Sequence, residues 1–108
     1  MKVIDIIKKQ VDKFINKYNL PQPTLIDSGS NMLSCMWGSK EDFYLYQPSI
    51  CIFYKNKYLS ATICNMSSGN LNHWDFRYSC KNNKELSNIL KDILDEWAQR
   101  YWVERIIK

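Results

Sequence analysis

The sequence predicts an α+β domain: an N-terminal helix, a four- to five-stranded, mainly antiparallel sheet and a long C-terminal helix, with both helices on one face of the sheet. Three observations carry this. Apolar residues recur at helical spacing near the two ends of the chain. Between them the chain alternates at strand spacing and is cut by short clusters of turn-forming residues. No repeat, low-complexity segment or linker interrupts it, so residues 1–108 are read as a single globular domain.

In the opening helix Val3, Ile4, Ile7, Val11, Phe14, Ile15 and Tyr18 follow three- and four-residue steps. Asp5, Lys9, Lys13 and Lys17 succeed each other at four-residue steps on the other side. The simpler reading of that ridge is a solvated face with one favourable Asp–Lys pair. The sharper one is a comb of cations for phosphates. The helix should end before "LPQPTLIDSGSN", where Pro21 and Pro23 forbid its continuation.

The middle reads as strands: "NMLSCMWG", then the turn-like "GSKE", then "DFYLYQ". Pro48 ends or bends the pairing there, because it has no amide to donate. "SICIFY" is apolar on both pleat faces, which predicts a central strand covered on both sides. Lys55, Asn56 and Lys57 form a short turn into "YLSATICNM", and "SSGNLN" forms a longer one centred on Gly69 before "HWDFRYSC". Strands joined by such turns pair antiparallel.

For the last helix, Asn82 followed by Glu85 makes an N-terminal cap with its reciprocal partner. Leu86, Ile89, Leu90, Ile93, Leu94, Trp97 and Tyr101 define its apolar stripe. Arg100, Arg105 and Lys108 suit the negative pole of its end.

Charge and cysteine usage narrow the function classes. Fifteen Lys and Arg against 11 Asp and Glu give a net charge of +4, too dilute for a strongly electrostatic nucleic-acid binder. Cys35, Cys51, Cys64 and Cys80 form no CxxC pair and match no zinc-finger spacing. The N-terminus lacks the continuous apolar core of a signal peptide, and no run reaches the length of a membrane span. The expectation is therefore a cytoplasmic protein with free, buried thiols, no metal, no cofactor and no membrane partner.

"HWDFRYSC" holds the only histidine. On a strand, Trp74, Phe76, Tyr78 and Cys80 share the core face, and His73, Asp75, Arg77 and Ser79 share the solvent face. Same-face neighbours lie about 7 Å apart, close enough for His73 and Asp75 to pair. A histidine oriented by an aspartate is half of a hydrolase or nuclease site. The other half is missing: no Ser or Cys sits in a Gly-flanked elbow, and no second histidine can serve as general acid. The solvated-strand reading takes precedence, and the chain is expected not to be an enzyme.

"FYKNKY" interleaves Lys55 and Lys57 with Phe53, Tyr54 and Tyr58 at a hairpin tip, a pattern that single-strand nucleic-acid binders use on their sheets. With the Lys9–Lys13–Lys17 ridge it makes the alternative function. The simpler reading is a solvated turn. Trp102 and Ile106 fall off the main stripe of the last helix at 100° per residue, and Tyr44 and Tyr46 share one pleat face. Surplus aromatics, with Arg105 beside them, signal a protein-binding patch. The competing reading bends the helix near Gln99 and folds Trp102 into the core.

These observations predict a small non-catalytic binding protein that occludes a protein partner through Trp102, Ile106, Arg105, Tyr44 and Tyr46, or that forms a homodimer there. In type it resembles bacterial immunity proteins, antitoxins and phage-encoded inhibitors, which implies a toxin or other effector as partner. No motif assigns a family.

Overall fold

The computed structural model describes residues 2–27, 29–37, 48–67 and 70–102, and for 65–67 and 70–73 the backbone alone. It shows an α+β fold: helix α1 (Val3–Lys17), strands β1 (Thr24–Asp27), β2 (Met32–Met36), β3 (Ser49–Lys55), β4 (Tyr58–Ser67) and β5 (Asn70–Ser79), then helix α2 (Asn83–Trp97) continued by a π-helical turn, Ala98–Trp102. The five strands form one antiparallel sheet in the order β1-β2-β3-β4-β5.

Helix α1 ends at Lys17, four residues before Pro21, by a local device. Asn19 adopts φ 52°, and the Leu20 amide donates to the Ile15 carbonyl at 3.0 Å while that of Asn19 reaches Asn16. This is a Schellman closure, and the buried pair Leu20 and Ile15 supplies its hydrophobic contact. Helix α2 begins as expected: the Glu85 amide donates to the Asn82 side chain at 2.9 Å. In the reciprocal bond the amide of Lys81, one residue before the cap, donates to the Glu85 carboxylate.

One face of the sheet is the core. Leu33 and Cys35 of β2, Ile50 and Ile52 of β3, and Leu59, Ala61 and Ile63 of β4 alternate inward and are buried. Against them pack Ile4, Ile7, Val11 and Phe14 of α1 and Leu86, Leu90, Leu94 and Trp97 of α2. Each large aliphatic side chain so buried contributes about 1.5–3 kcal/mol relative to exposure. Ile6 and Gln10 are buried as well, since α1 packs against α2 in addition to the sheet and needs a wider inward arc.

Three expectations need correction. Strand β1 lies within "LPQPTLIDSGSN", where periodicity gave no strand; its four residues are all exposed, so no inward alternation marks them. β3 is central, but its second face is not sealed: Ser49, Cys51 and Phe53 are only half-buried. The last helix does not keep 100° per residue, because its end widens into π geometry. The segment "DFYLYQ" and the tail beyond Trp102 lie outside the described residues.

Candidate binding surface

Strand β5 distributes "HWDFRYSC" as alternation requires. Trp74, Phe76 and Tyr78 stand opposite Ile63, Ala61 and Leu59 on the core face, while Asp75 and Arg77 stand opposite Thr62 and Ser60 on the outer face. Because β5 is the sheet's edge, its core-face aromatics are less enclosed than those of β4, and Tyr78 remains 43% exposed. Asp75, Arg77 and Ser79 are exposed. The Thr62 hydroxyl donates to Asp75 Oδ1 at 2.8 Å, so a cross-strand hydroxyl helps orient this carboxylate. His73 pairs with Cys64 in the ladder, and its side chain lies outside the described residues. Among the described residues, no three His, Cys, Asp or Glu side chains gather as a metal site.

The cysteines split between the two faces. Cys35 and Cys80 are buried in the core, while Cys51 and Cys64 are half-buried on the outer face. Burial pushes the Cys35 thiol up to about 12, with Cys51, Asp12 and Asp27 adding to the effect. Burial likewise raises the Cys64 and Cys80 thiols. Such thiols are protonated at neutral pH and are poor nucleophiles.

Trp102 is not the exposed anchor that its position on an ideal helix implies. It is 7% exposed, and Tyr101 beside it is 8% exposed. The π-helical turn brings a residue five positions on above its predecessor, so Trp97 and Trp102 face the same side with ring centroids 5.6 Å apart. Trp37 completes the cluster, 5.6 Å from Trp97 and 5.3 Å from Trp102, and Phe14 stacks on Trp97 at 5.7 Å. The Trp37 indole donates to the Pro21 carbonyl at 2.8 Å, whereas Trp102 Nε1 has no hydrogen-bond partner among the described residues. Trp102 therefore offers no exposed anchor for a partner. Its proposed companions Arg105, Ile106, Tyr44 and Tyr46 lie outside the described residues.

The lysine ridge of α1 is exposed, but it does not act as a uniform comb. Lys17 donates to Asp95 of α2 at 3.1 Å, and the Tyr18 hydroxyl donates to the same oxygen at 3.0 Å. Lys91 reaches the other oxygen at 3.3 Å. Lys13 and Lys17 border a groove of about 50 Å³ between the helices, with Lys91 and Asp95 across it. Burial raises the Asp95 carboxyl, but the hydrogen bonds from Lys17, Tyr18 and Lys91 outweigh it and leave a net lowering. Lys17 thus joins two helices, and Lys9 and Lys13 are exposed beside it.

The hairpin β3–β4 turns on Asn56 and Lys57, both in the left-handed region with φ 52° and 64°. Its aromatics divide: Tyr54 points coreward and donates to the Cys80 carbonyl at 2.7 Å, whereas Tyr58 on the outer face is 65% exposed. Lys55, Tyr58, Phe53, Ser60, Arg77 and Ser79 border an open hollow of about 530 Å³ at this end of the sheet. Away from it the outer face mixes apolar residues with the small polar side chains of Thr24, Ser34, Ser49 and Thr62. Ile26 is 47% exposed, and Met32, Met36, Cys51, Thr62 and Cys64 are half-buried. The α1 and α2 side chains that define the core cover the opposite face. Sequence reasoning missed this surface, although the two apolar faces of "SICIFY" were its signal. No known protein family, curated protein or solved structure matches the chain.

Proposed function

We propose that the chain is a non-catalytic protein-binding module that neutralises a partner by steric occlusion, and that the outer face of its sheet is the contact surface. The observation that carries this is the run of exposed and half-buried apolar residues from Ile26 through Met32, Met36 and Phe53 to Tyr58 on the face opposite the helices. Such a surface favours a folded, partly apolar partner over a polyanion. The net charge of +4 favours a partner with an acidic rim, such as an acidic toxin or effector surface. Affinity capture from the native cell tests the reading. The wild-type chain should retain one protein at stoichiometric yield, and Ile26→Asp, which alters an exposed residue, should lose it. Retention by both chains, or by neither, counts against the outer face.

A second reading is single-strand nucleic-acid binding. It is favoured by Lys55, Tyr58 and Arg77 around the hollow, where a base could stack on the tyrosine and phosphates meet the cations. Sub-micromolar binding to single-stranded oligonucleotides that weakens steeply with salt would establish it, and Tyr58→Ala would then reduce it.

A further inference from the structure

We propose that β5 pairs edge to edge with β5 of a second copy of this chain, about a two-fold axis at Phe76, so that two five-stranded sheets become one continuous sheet. The inference goes beyond the partner reading above and stands without it. The two edges of the sheet differ. β1 has four residues and ends near Gly29, whereas β5 has ten and holds an unbroken register with β4 from Tyr58–Ser79 to Ser67–Asn70. Asn70–Ser79 contains no proline, no lysine and no bulge, the usual devices that keep a long edge from pairing.

The register follows from the ladder. The Cys80 amide donates to the Lys57 carbonyl at 2.8 Å, so alternation turns the main-chain groups of Tyr78, Phe76 and Trp74 toward β4 and those of Ser79, Arg77 and Asp75 the other way. A two-fold antiparallel pairing must then centre on a residue, since an axis between residues would oppose outward groups to inward ones. An axis at Asp75 or Arg77 sets like charges against each other. An axis at Trp74 or Tyr78 leaves Arg77 opposite the partner's Leu71 or the partner's Ser79.

Only the axis at Phe76 sets Asp75 against the partner's Arg77 and Arg77 against the partner's Asp75, with their outward amides and carbonyls in register. It also sets Trp74 against the partner's Tyr78 and Phe76 against the partner's Phe76. Those aromatics are the half-buried and exposed ones of the edge. Thr62 holds the Asp75 carboxylate on the outer face, the face on which the partner's Arg77 would lie. The pattern of aromatic, acid, aromatic, base, aromatic is complementary to itself when reversed, as an isologous interface requires.

Sedimentation equilibrium and amide exchange test this together. The wild-type chain should be a dimer, and Asp75→Arg and Arg77→Asp should each be monomers, because each sets like charges opposite. An equimolar mixture of those two variants should form a heterodimer, since its facing pairs are then opposite in sign, and this also shows that both variants are folded. In the unmodified protein the amides of Asp75 and Arg77 should exchange more slowly as concentration rises. A wild-type monomer with concentration-independent exchange overturns the proposal. So does a dimer that both single variants retain, and a mixture that stays monomeric overturns the axis at Phe76.

Discussion

The indoles of Trp37 and Trp102 meet edge to face, with centroids 5.3 Å apart and planes at 63°. The contact ties the residue after β2 to the last residue of the π-helical turn, and so closes one end of the core over Phe14 and Trp97. Trp102→Ala is expected to destabilise the fold by about 3–5 kcal/mol, as large aromatic deletions in cores do. That is a large part of the roughly 5–15 kcal/mol by which a domain of this size is stable. Trp102→Phe should cost less than Trp37→Phe, because only the Trp37 indole surrenders a bond, to the Pro21 carbonyl. Urea titrations of the three variants decide it. A Trp102→Ala protein within about half a kcal/mol of wild type would place this indole at the surface.

What the sequence disclosed was what periodicity encodes. The stripe from Leu86 to Trp97 and the inward alternation of Leu33, Ile50 and Leu59 follow from geometry that holds along a whole element. The Asn82 cap was equally legible, because the side chain bonds only three residues away. Trp102 follows the competing reading, in which the helix leaves its 100° step near Gln99 and the indole enters the core; a 100° step carried through this turn instead places it at the surface. β1 escaped notice because four exposed residues show no contrast between faces. The outer face was misread for a related reason: apolar residues on both sides of β3 imply cover, yet Phe53 and Cys51 are only half-covered.

Asp95 gives the fold an acid-sensitive joint between its helices. Its carboxyl, which burial alone would raise, is brought below its ordinary 3.8 by bonds from Lys17, Tyr18 and Lys91. A depressed carboxyl stabilises fully above its unfolded value, and that contribution is lost as pH falls through the depressed one. Asp95→Asn should therefore be less stable than wild type at neutral pH. The gap should close as pH falls below the ordinary carboxyl value. Parallel thermal melts from neutral to acid pH measure it, and a gap independent of pH would show that the joint is not ionic.

Thiol labelling separates the two faces of the sheet. Cys35, buried and held up at about 12, and Cys80, also buried, should resist maleimide at neutral pH until the protein unfolds. Cys51, half-buried on the outer face, should label in the native protein, and Cys64, half-buried there with its thiol raised by burial, should label more slowly. Mass spectrometry of digested samples assigns each site. Labelling of Cys35 as fast as that of Cys51 would mean that the helices do not seal the inner face. Protection of Cys51 by a captured protein would locate the partner on the outer one.

The hairpin between β3 and β4 carries a correctable strain. Lys55 and Tyr58 pair directly across it, so Asn56 and Lys57 form a two-residue turn, and both occupy the left-handed region. Asparagine tolerates that conformation, but lysine has no side chain that bonds locally to offset the crowding of its Cβ against the backbone. The left-handed state costs an ordinary L-residue about 1–2 kcal/mol, and glycine escapes most of that. Glycine also has a larger unfolded-state entropy, which returns about 0.4–1 kcal/mol of the gain. Lys57→Gly should therefore raise stability by about 0.5–1 kcal/mol, while Lys57→Val, β-branched at a positive φ, should lower it. The Lys57 carbonyl that accepts the Cys80 amide is main chain and survives either change. Chemical denaturation of both variants is sufficient, and a glycine variant no more stable than wild type would show that the turn relaxes out of the left-handed region in solution.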